Sequence, residues 1–390
     1  MSPPSIPGAV VIGCHVNGLG VIRSLAREQI PIVALTHDRR ADFAHRSRHV
    51  REWIRVPSPR LDESAFIDAL RANAPRWKGF LVIETNDDSL MAISKNRAAL
   101  ESDFLVSTPR WEVVKHLIEK PATYRLAEAC GVPNPRTWSP ATEGGLPEPP
   151  ADTPFPCLVK PVVSHLFVAE FGVKNFRAAD ASQLRSMLER CAASGHAVMV
   201  QEIIPGPDAD IYQCLMHLDS RSGSSTAFIT RKLRQNPPGF GVARVAVSHA
   251  PIPEIEAWTL GMLRRIGFTG LALAEFKRDS RDGSWKLMEI NGRLPRSNLL
   301  SARCGLNFPM MAGRDLAGAE PLPAVRYEVG VHWIEIAMDL YLSARNFRSE
   351  SQSIRDYLRP YLAGREVFGD WSADDPRPFF ARIGNVLRRN

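Results

Sequence analysis

The chain has 390 residues, of which 44% are hydrophobic and 23% charged, and its formal net charge is +7 at pH 7. This length is enough for two to four domains, each with its own hydrophobic core. The modest positive charge suits anionic small molecules as well as nucleic acid, so charge alone excludes neither class of partner.

The cysteines and the N-terminus indicate the compartment. The six cysteines are scattered without C-x-x-C spacing, which argues against a zinc site and against a disulfide framework. We expect them to be reduced and mostly buried thiols. The N-terminus lacks the pattern of a signal peptide, and no apolar stretch approaches the length of a membrane span. The sequence therefore predicts a cytoplasmic protein.

The first third of the chain alternates short apolar strands with helical patterns, which predicts a parallel α/β layer. Strands are predicted at 9–12, 32–35 and 80–83, and helices at 21–27, 62–73 and 89–100. The polar run 84–88 follows the third strand, where it either binds a ligand or caps the next helix through Asp87 or Asp88.

Gly18-Leu19-Gly20 resembles a dinucleotide-binding fingerprint, with Asp38 near the position of a ribose-binding acid. However, Arg23 occupies the third glycine position, and residues 14–17 separate these glycines from Gly13 at the end of the strand. We therefore favour a tight loop at 13–20 over an NAD site, with a loop that lines a substrate pocket as a third interpretation.

Residues 37–55 are rich in arginine and histidine. Such a run is either a solvated face or a receptor for an anionic substrate. Nucleic-acid binding is disfavoured because only Phe43 and Trp53 are available for base stacking.

The centre of the chain contains a junction and two notable lysines. A helix opens at Lys120, and the segment 140–156 holds the prolines typical of a domain junction. A strand predicted at 155–159 ends at Lys160, and another at 198–206 is broken by Pro-Gly. Further strands are predicted at 211–218 and 226–233, and the second places Lys232 on one face.

The stretch 271–298 is the most informative in the chain. Strands at 271–277 and 285–290 read as a hairpin that ends in Glu275 and Glu289, followed by Asn291. One interpretation is a surface hairpin with exposed acids. The other is that the two carboxylates lie at the centre of apolar strands and require a cation, and ligands that are all oxygen atoms favour Mg²⁺ or Mn²⁺. A helix starts near Asn298, with Ser297 or Asn298 as its cap, and its N-terminus would attract anions.

Glu275 together with Glu289-Ile290-Asn291-Gly292-Arg293 resembles the metal-binding end of the ATP-grasp superfamily, in its carboxylate–amine ligase branch. The resemblance covers about residues 8–315. It implies an α/β (α+β) fold, with an N-terminal Rossmann-like pre-ATP-grasp domain followed by an ATP-grasp fold that binds ATP between two α+β subdomains.

The resemblance also implies roles for individual residues. ATP would be bound by these positions: Lys120, Lys160, Glu202, Ile203, Ile204, Asp210 and Lys232. Glu275, Glu289 and Asn291 would hold two Mg²⁺ (or Mn²⁺) ions. Lys232 and Arg293 would act in catalysis, at the γ-phosphate and at the developing anion. Arg244, Arg296 and Ser297 are the candidates for binding the substrate.

The phosphate-covering loop departs from the superfamily pattern, because 162–167 contains no glycine. We expect four parts: a pre-ATP-grasp domain at 1–115, a small ATP-grasp subdomain at 116–205, a central sheet with the metal site at 206–318, and a helical extension at 319–390. We interpret the last part as packing or a lid that takes no part in the chemistry.

The function implied is ATP-dependent ligation of a carboxylate, activated as an acyl phosphate, to an amine that is expected to be an amino acid. One alternative is a carboxylase or carbamoyl-phosphate-type synthetase that uses bicarbonate, and another is a non-catalytic ATP-binding protein. The expected partners are ATP, a small carboxylate and an amine, without nucleic acid or membrane, and a homodimer is compatible with the sequence.

Overall fold

The computed structural model describes residues 6–38, 41–140, 145–162, 167, 170–239, 241–323, 325–346 and 353–387. It divides into two compact units. The first unit contains residues 1–114, 207–274 and 291–390, and the second contains 115–206 and 275–290.

The strands of the described residues are, in chain order, β1 (Ala9–Ile12), β2 (Ile32–Thr36), β3 (Val50–Arg55), β4 (Leu81–Glu84), β5 (Leu105–Val106), β6 (Thr137–Trp138), β7 (Cys157–Pro161), β8 (Phe176–Ala178), β9 (Val198–Glu202), β10 (Ile211–Leu218), β11 (Ser225–Asn236), β12 (Val242–His249), β13 (Gly270–Arg278), β14 (Trp285–Asn291), β15 (His332–Ile334) and β16 (Glu366–Phe368). The helices are Val16–Ala26, Glu63–Asn73, Asp87–Lys95, Arg97–Leu100, Trp111–Ile118, Lys120–Ala129, Ala181–Ala193, Pro253–Arg265, Asn298–Arg303, Phe308–Leu316, Ile336–Asn346, Ile354–Leu358 and Arg377–Leu387.

The first unit begins with a five-stranded parallel sheet in the order β3-β2-β1-β4-β5. Strands β1, β2 and β4 are buried along their whole length, as expected for a sheet covered on both faces. This confirms the predicted parallel α/β layer. Strand β3 was not predicted, because its alternation of half-buried and exposed residues lies within the arginine-rich run 37–55.

The predicted loop at 13–20 was wrong. Helix Val16–Ala26 begins five residues earlier than the sequence suggested, so Gly18 and Gly20 lie inside it. A Cβ atom at Gly18 would come within 2.0 Å of the Gly13 carbonyl oxygen, and one at Gly20 within 2.4 Å of Asn298 Oδ1. These glycines therefore permit close packing and do not form a loop.

A larger sheet has the order β14-β13-β10-β11-β12-β15-β16. Strands β10, β11, β12 and β15 pair antiparallel, and β16 joins β15 in parallel. Strands β12, β15 and β16 were not predicted. The C-terminal segment, interpreted from the sequence as helical, thus supplies two strands to this sheet.

The second unit has a four-stranded sheet in the order β6-β9-β7-β8, with every described pairing antiparallel. Helix Ala181–Ala193 packs on this sheet through Leu184, Leu188 and Cys191, and its N-cap Asp180 accepts a hydrogen bond from the Gln183 amide. The core beneath the helix fixes strands β7 and β9, which carry several predicted site residues.

The six cysteines are free, and all except the half-buried Cys130 are buried, as the sequence predicts. Among the described residues, no helix is long and apolar enough to cross a membrane.

Candidate active site

The predicted hairpin at 271–290 is present. Strands β13 and β14 are neighbours in the sheet, and a turn joins them in which the Asp279 amide donates to the Ser284 carbonyl oxygen at 2.8 Å. Glu275 is buried, at 8% exposure, whereas Glu289 is exposed. The prediction that both acids are buried was therefore wrong for Glu289, because its face of this edge strand is open to solvent.

Lys160 lies on β7 of the second unit, and the charges of Glu275 and Glu289 affect its pKa. Burial lowers the pKa of Lys160 to about 8, while the carboxylates of Glu289 and Glu275 raise it. The Lys160 ammonium donates to Gln201 Oε1 on the neighbouring strand β9, and Gln201 Nε2 donates to Thr137 Oγ1 at 2.8 Å. The second unit thus places one cation beside two carboxylates.

The metal ligands predicted from the sequence are two carboxylates and an amide. Within the described part of the chain, no group of three histidine, cysteine, aspartate or glutamate side chains could hold a metal ion. Asn291, the amide predicted from the sequence as a further ligand, follows Glu289 by two residues on β14. Two carboxylates and an amide oxygen match the ligands of Mg²⁺.

The other predicted ATP ligands of the second unit lie at the ends of elements. Lys120 is the first residue of helix Lys120–Ala129. Glu202 ends β9 and is held between two arginines that sequence reasoning missed: its carboxylate accepts from Arg136 Nε at 3.2 Å and from Arg281 Nη2 at 3.3 Å. Ile203 is half-buried and Ile204 is buried.

The predicted ATP ligands of the first unit are Asp210 and Lys232. Asp210 ends the short turn Asp208–Asp210, whose Asp208 carboxylate accepts from Gln235 Nε2 at 2.7 Å. Lys232 is 3% exposed on β11, and its ammonium donates to the Gly241 carbonyl oxygen at 3.2 Å. The predicted phosphate-covering loop 162–167 lies outside the described residues except for Val162 and Phe167.

Arg293 is held by an acid from the N-terminal sheet region. Its Nε donates to Asp87 Oδ1 at 2.6 Å and its Nη2 to Asp87 Oδ2 at 3.0 Å. Asp87 therefore anchors Arg293 and does not cap its own helix. The cap is Asn86, whose Oδ1 accepts from the Ser89 amide at 2.9 Å, so the predicted cap by Asp87 or Asp88 was wrong.

Glu84 lies at the end of β4, in the same unit as Arg293. Burial raises the pKa of Glu84 to about 7, while the hydroxyls of Thr108 and Ser107 and the charge of Arg293 lower it. Thr108 Oγ1 donates to Glu84 Oε2 at 2.5 Å. The polar segment after the third predicted strand therefore contributes both a proton-binding carboxyl group and the anchor of Arg293.

Arg244 and Arg296, two of the predicted substrate residues, line one cavity of about 270 Å³ in the first unit. Ser297 is not among the residues that line this cavity. It occupies the N-cap position of the six-residue helix Asn298–Arg303, but its side chain makes no capping hydrogen bond. The predicted anion site at this helix start is therefore not supported by the geometry.

Sequence reasoning missed three ionisable residues that line the same cavity: His15, Glu335 and Arg382. His15 follows β1 in the segment for which pocket lining was one interpretation. Burial and the charges of Arg296 and Arg293 lower the pKa of His15 to about 3, so it is neutral. Glu335 and Arg382 belong to the C-terminal segment, where no motif distinguished them from packing residues.

No family model matches the chain. The chain is 24% identical over 305 residues to the D-aspartate ligase of Enterococcus faecium (strain Aus0004), which covers 75% of this chain and 72% of that protein.

Two solved structures have a similar fold. One is the L-amino acid ligase of Bacillus licheniformis, with a TM-score of 0.61, 17% identity, and coverage of 81% of this chain and 76% of that one. The other is N5-carboxyaminoimidazole synthetase of Staphylococcus aureus complexed with ADP, with a TM-score of 0.64, 14% identity, and coverage of 90% and 88%. The chain therefore has an ATP-grasp fold.

Proposed function

We propose that this chain is an ATP-dependent ligase that joins a small carboxylate to an amine, with an amino acid as the expected amine. The observation that carries the proposal is the group formed by Lys160, Glu275 and Glu289 in the second unit. An ammonium beside two carboxylates can hold a nucleotide phosphate together with its metal ion.

The reaction has two steps. A carboxylate oxygen of the substrate attacks the γ-phosphorus of ATP, which forms an acyl phosphate and releases ADP. The amine then attacks the acyl carbon, and the carbon–oxygen bond to phosphate breaks as the amide bond forms. Such transfers depend on positioning and charge neutralisation more than on a nucleophile of the protein.

The proposed residue roles are those that the resemblance to ATP-grasp ligases implies. In the second unit Lys120, Lys160, Glu202, Ile203 and Ile204 are proposed to bind ATP, and in the first unit Asp210 and Lys232. Arg293 is proposed to stabilise the developing anion, because its bidentate pairing with Asp87 fixes the guanidinium.

Glu275, Glu289 and Asn291 are proposed to hold two Mg²⁺ (or Mn²⁺) ions, which when bound neutralise the charge of the phosphate oxygens. We further propose that the enzyme acts in the cytoplasm on small molecules and not on nucleic acid or membranes, and that a homodimer is compatible with its activity.

The test is ADP release and hydroxamate formation from ATP, Mg²⁺, hydroxylamine and a pool of carboxylates that includes amino acids. We expect hydroxamate from the wild type and a loss on the order of 100-fold in Glu289→Gln, because one metal ligand loses its charge. Glu189→Gln is the control, since Glu189 is an exposed acid of the same unit.

Two outcomes would contradict the proposal. ADP release without hydroxamate would indicate that the acceptor of the phosphoryl group is bicarbonate or another compound and not an organic acid. Binding of ATP without ADP release from any member of the pool would favour an ATP-binding protein that is not a ligase.

A further inference from the structure

Residues 202–204, which we call the base segment, lie at the end of strand β9 and are proposed to bind ATP. Ile203 and Ile204 are uncharged and are half-buried and buried, so the part of ATP that suits them is the base and not the phosphates. Glu202 still belongs to the sheet, and its amide donates to the Arg136 carbonyl oxygen at 3.0 Å. The next three residues are outside any strand, so side-chain contacts must help to fix the base segment.

The carboxylate of Glu202 is held at both of its oxygen atoms. Its side chain is 7% exposed, its Oε2 accepts from Arg136 Nε at 3.2 Å, and its Oε1 accepts from Arg281 Nη2 at 3.3 Å. Arg136 directly precedes strand β6, which already pairs with β9. Arg281 comes from a different element, so it is the contact that joins the base segment to another part of the second unit.

Arg281 lies in the turn between β13 and β14, residues 279–284, which we call the hairpin turn. The buried carboxylate of Asp279 accepts from Arg281 Nε at 2.9 Å, from Arg281 Nη2 at 2.5 Å and from the Arg281 amide at 2.9 Å. The hydrogen bonds from the Arg281 side chain lower the pKa of Asp279, although burial raises it. Isolated ion pairs at a surface contribute little, but this bidentate contact with a buried carboxylate fixes the exposed guanidinium.

The hairpin turn makes a second contact with the same part of the chain. The Ser280 amide donates to the carbonyl oxygen of Pro205, directly after the base segment, at 3.4 Å. The strands that the turn joins carry Glu275 and Glu289, and all of these residues belong to the second unit. One hairpin therefore links the residues proposed for the base with the acids proposed for the metal ions.

We propose that Arg281 is a positioning residue for the base of ATP: by bridging Asp279 and Glu202, it fixes the base segment against the hairpin turn. The hydrogen-bonding groups of a fixed segment stand at fixed positions, and such groups reject a base whose donors and acceptors do not match them. The inference rests on the proposed function, because it assigns the base of ATP to residues 202–204.

The first experiment is calorimetric titration of the full chain with ATP and with GTP, each in the presence of Mg²⁺. The two nucleotides have the same ribose and phosphates and differ only in the base. We expect the wild type to bind ATP at least about tenfold more tightly than GTP, because a mismatched base leaves polar groups unpaired. Equal affinities for ATP and GTP would overturn the inference.

The second experiment repeats both titrations with variants of Arg281. Arg281→Gln is expected to weaken ATP binding about tenfold and GTP binding less than about threefold, so the preference for ATP declines. An ion pair that only stabilises the fold would lower the melting temperature and leave the ratio of the two affinities unchanged. Arg281→Lys should keep only part of the preference, because an ammonium lacks the planar fork that bridges two carboxylates.

Arg185→Gln is the matched control for these variants. Arg185 is an exposed arginine of the same unit, on helix Ala181–Ala193. Its replacement removes the same charge far from the hairpin turn along the chain, so both affinities should equal those of the wild type.

Asp279→Asn tests whether Arg281 acts through the bridge. We expect this variant to reduce the preference for ATP over GTP as Arg281→Gln does. The double variant should lose no more of the preference than Arg281→Gln alone, since both changes break the same network. Additive losses would mean that the two residues act separately, and they would overturn the inference.

Binding and turnover separate this inference from the proposed function. A reduced preference for ATP in Arg281→Gln, without hydroxamate from the wild type, would keep the role of Arg281 and contradict the ligase. Hydroxamate from the wild type, with an unchanged preference in folded Arg281→Gln, would keep the ligase and overturn the role of Arg281. Should Arg281→Gln not fold, Arg281→Lys decides by the same ratio of affinities.

Discussion

Lys160 combines burial with two nearby carboxylates, and because Lys160 is proposed to bind ATP, we expect nucleotide binding to depend on pH. Burial lowers the pKa of Lys160 to about 8, although Glu289 and Glu275 oppose the shift. The ammonium is present below that pH and is lost as the pH rises through it. We predict that the affinity for ATP falls between about pH 7.5 and 9.5, as measured by titration at constant ionic strength.

Lys160→Arg is the informative variant, because a guanidinium stays charged across this range. We expect its ATP affinity to be weaker than that of the wild type at pH 7, since a planar fork replaces a point charge, but to be independent of pH up to 9.5. If the ATP affinity of Lys160→Arg declined above pH 8 as that of the wild type does, a group other than Lys160 would be responsible for the pH dependence.

Glu275, Glu289 and Lys160 could be proposed as site residues because each one is a charged residue in an apolar strand pattern. The structure places them within β13, β14 and β7. Glu335 and Arg382 lack any such local signal. Their contact joins residues that are 47 positions apart, and it arises from tertiary packing that no sequence spacing encodes.

At the scale of elements, helix Val16–Ala26 contains two glycines, Gly18 and Gly20, that led us to predict a loop from the sequence. Glycine lowers the helical signal because it is a poor helix former, and the need for close packing is invisible without the partner element. Gly20→Ala would place a Cβ atom 2.4 Å from Asn298 Oδ1. We predict a loss of roughly 1–3 kcal/mol in the free energy of unfolding, measured by chemical denaturation.

Gly261→Ala is the matched control. Gly261 lies within helix Pro253–Arg265, and a Cβ atom added there would meet no other atom of the described residues within 4 Å. Alanine there should raise the free energy of unfolding by up to about 1 kcal/mol, because it restricts the unfolded chain and favours the helix. If both variants were equally stable, the contact with Asn298 would not be the reason for glycine at position 20.

Strands β15 and β16 were not predicted for a related reason. Strands β15 and β16 have three residues each, which is too short for an alternating pattern to be distinguished from a loop. Strand β15 forms because it pairs with the edge of β12, and β16 forms because it pairs with the edge of β15. The seven-stranded order of this sheet is therefore a property of the assembled chain.

For the whole molecule, the segment 319–390 is expected to be part of the fold of the first unit and not a removable lid. Trp333 on β15 is fully buried. The Asp375 carboxylate accepts from Arg23 Nε at 3.2 Å, from Ser47 Oγ at 2.7 Å and from the Arg48 amide at 2.9 Å. Deleting the segment would open the edge of β12 and leave Arg23, which is 7% exposed, without this carboxylate.

We predict that a chain ending at residue 318 does not melt cooperatively and aggregates, as followed by circular dichroism and light scattering on heating. An exposed strand edge promotes association, and a buried guanidinium without its acid is costly. Asp375→Asn in the full chain isolates the effect of leaving the buried Arg23 guanidinium without its acid. It keeps the strands, so it should still melt cooperatively while losing roughly 3–5 kcal/mol of stability. A truncated chain that stays monomeric and melts within a few degrees of the full chain would instead make the segment a lid.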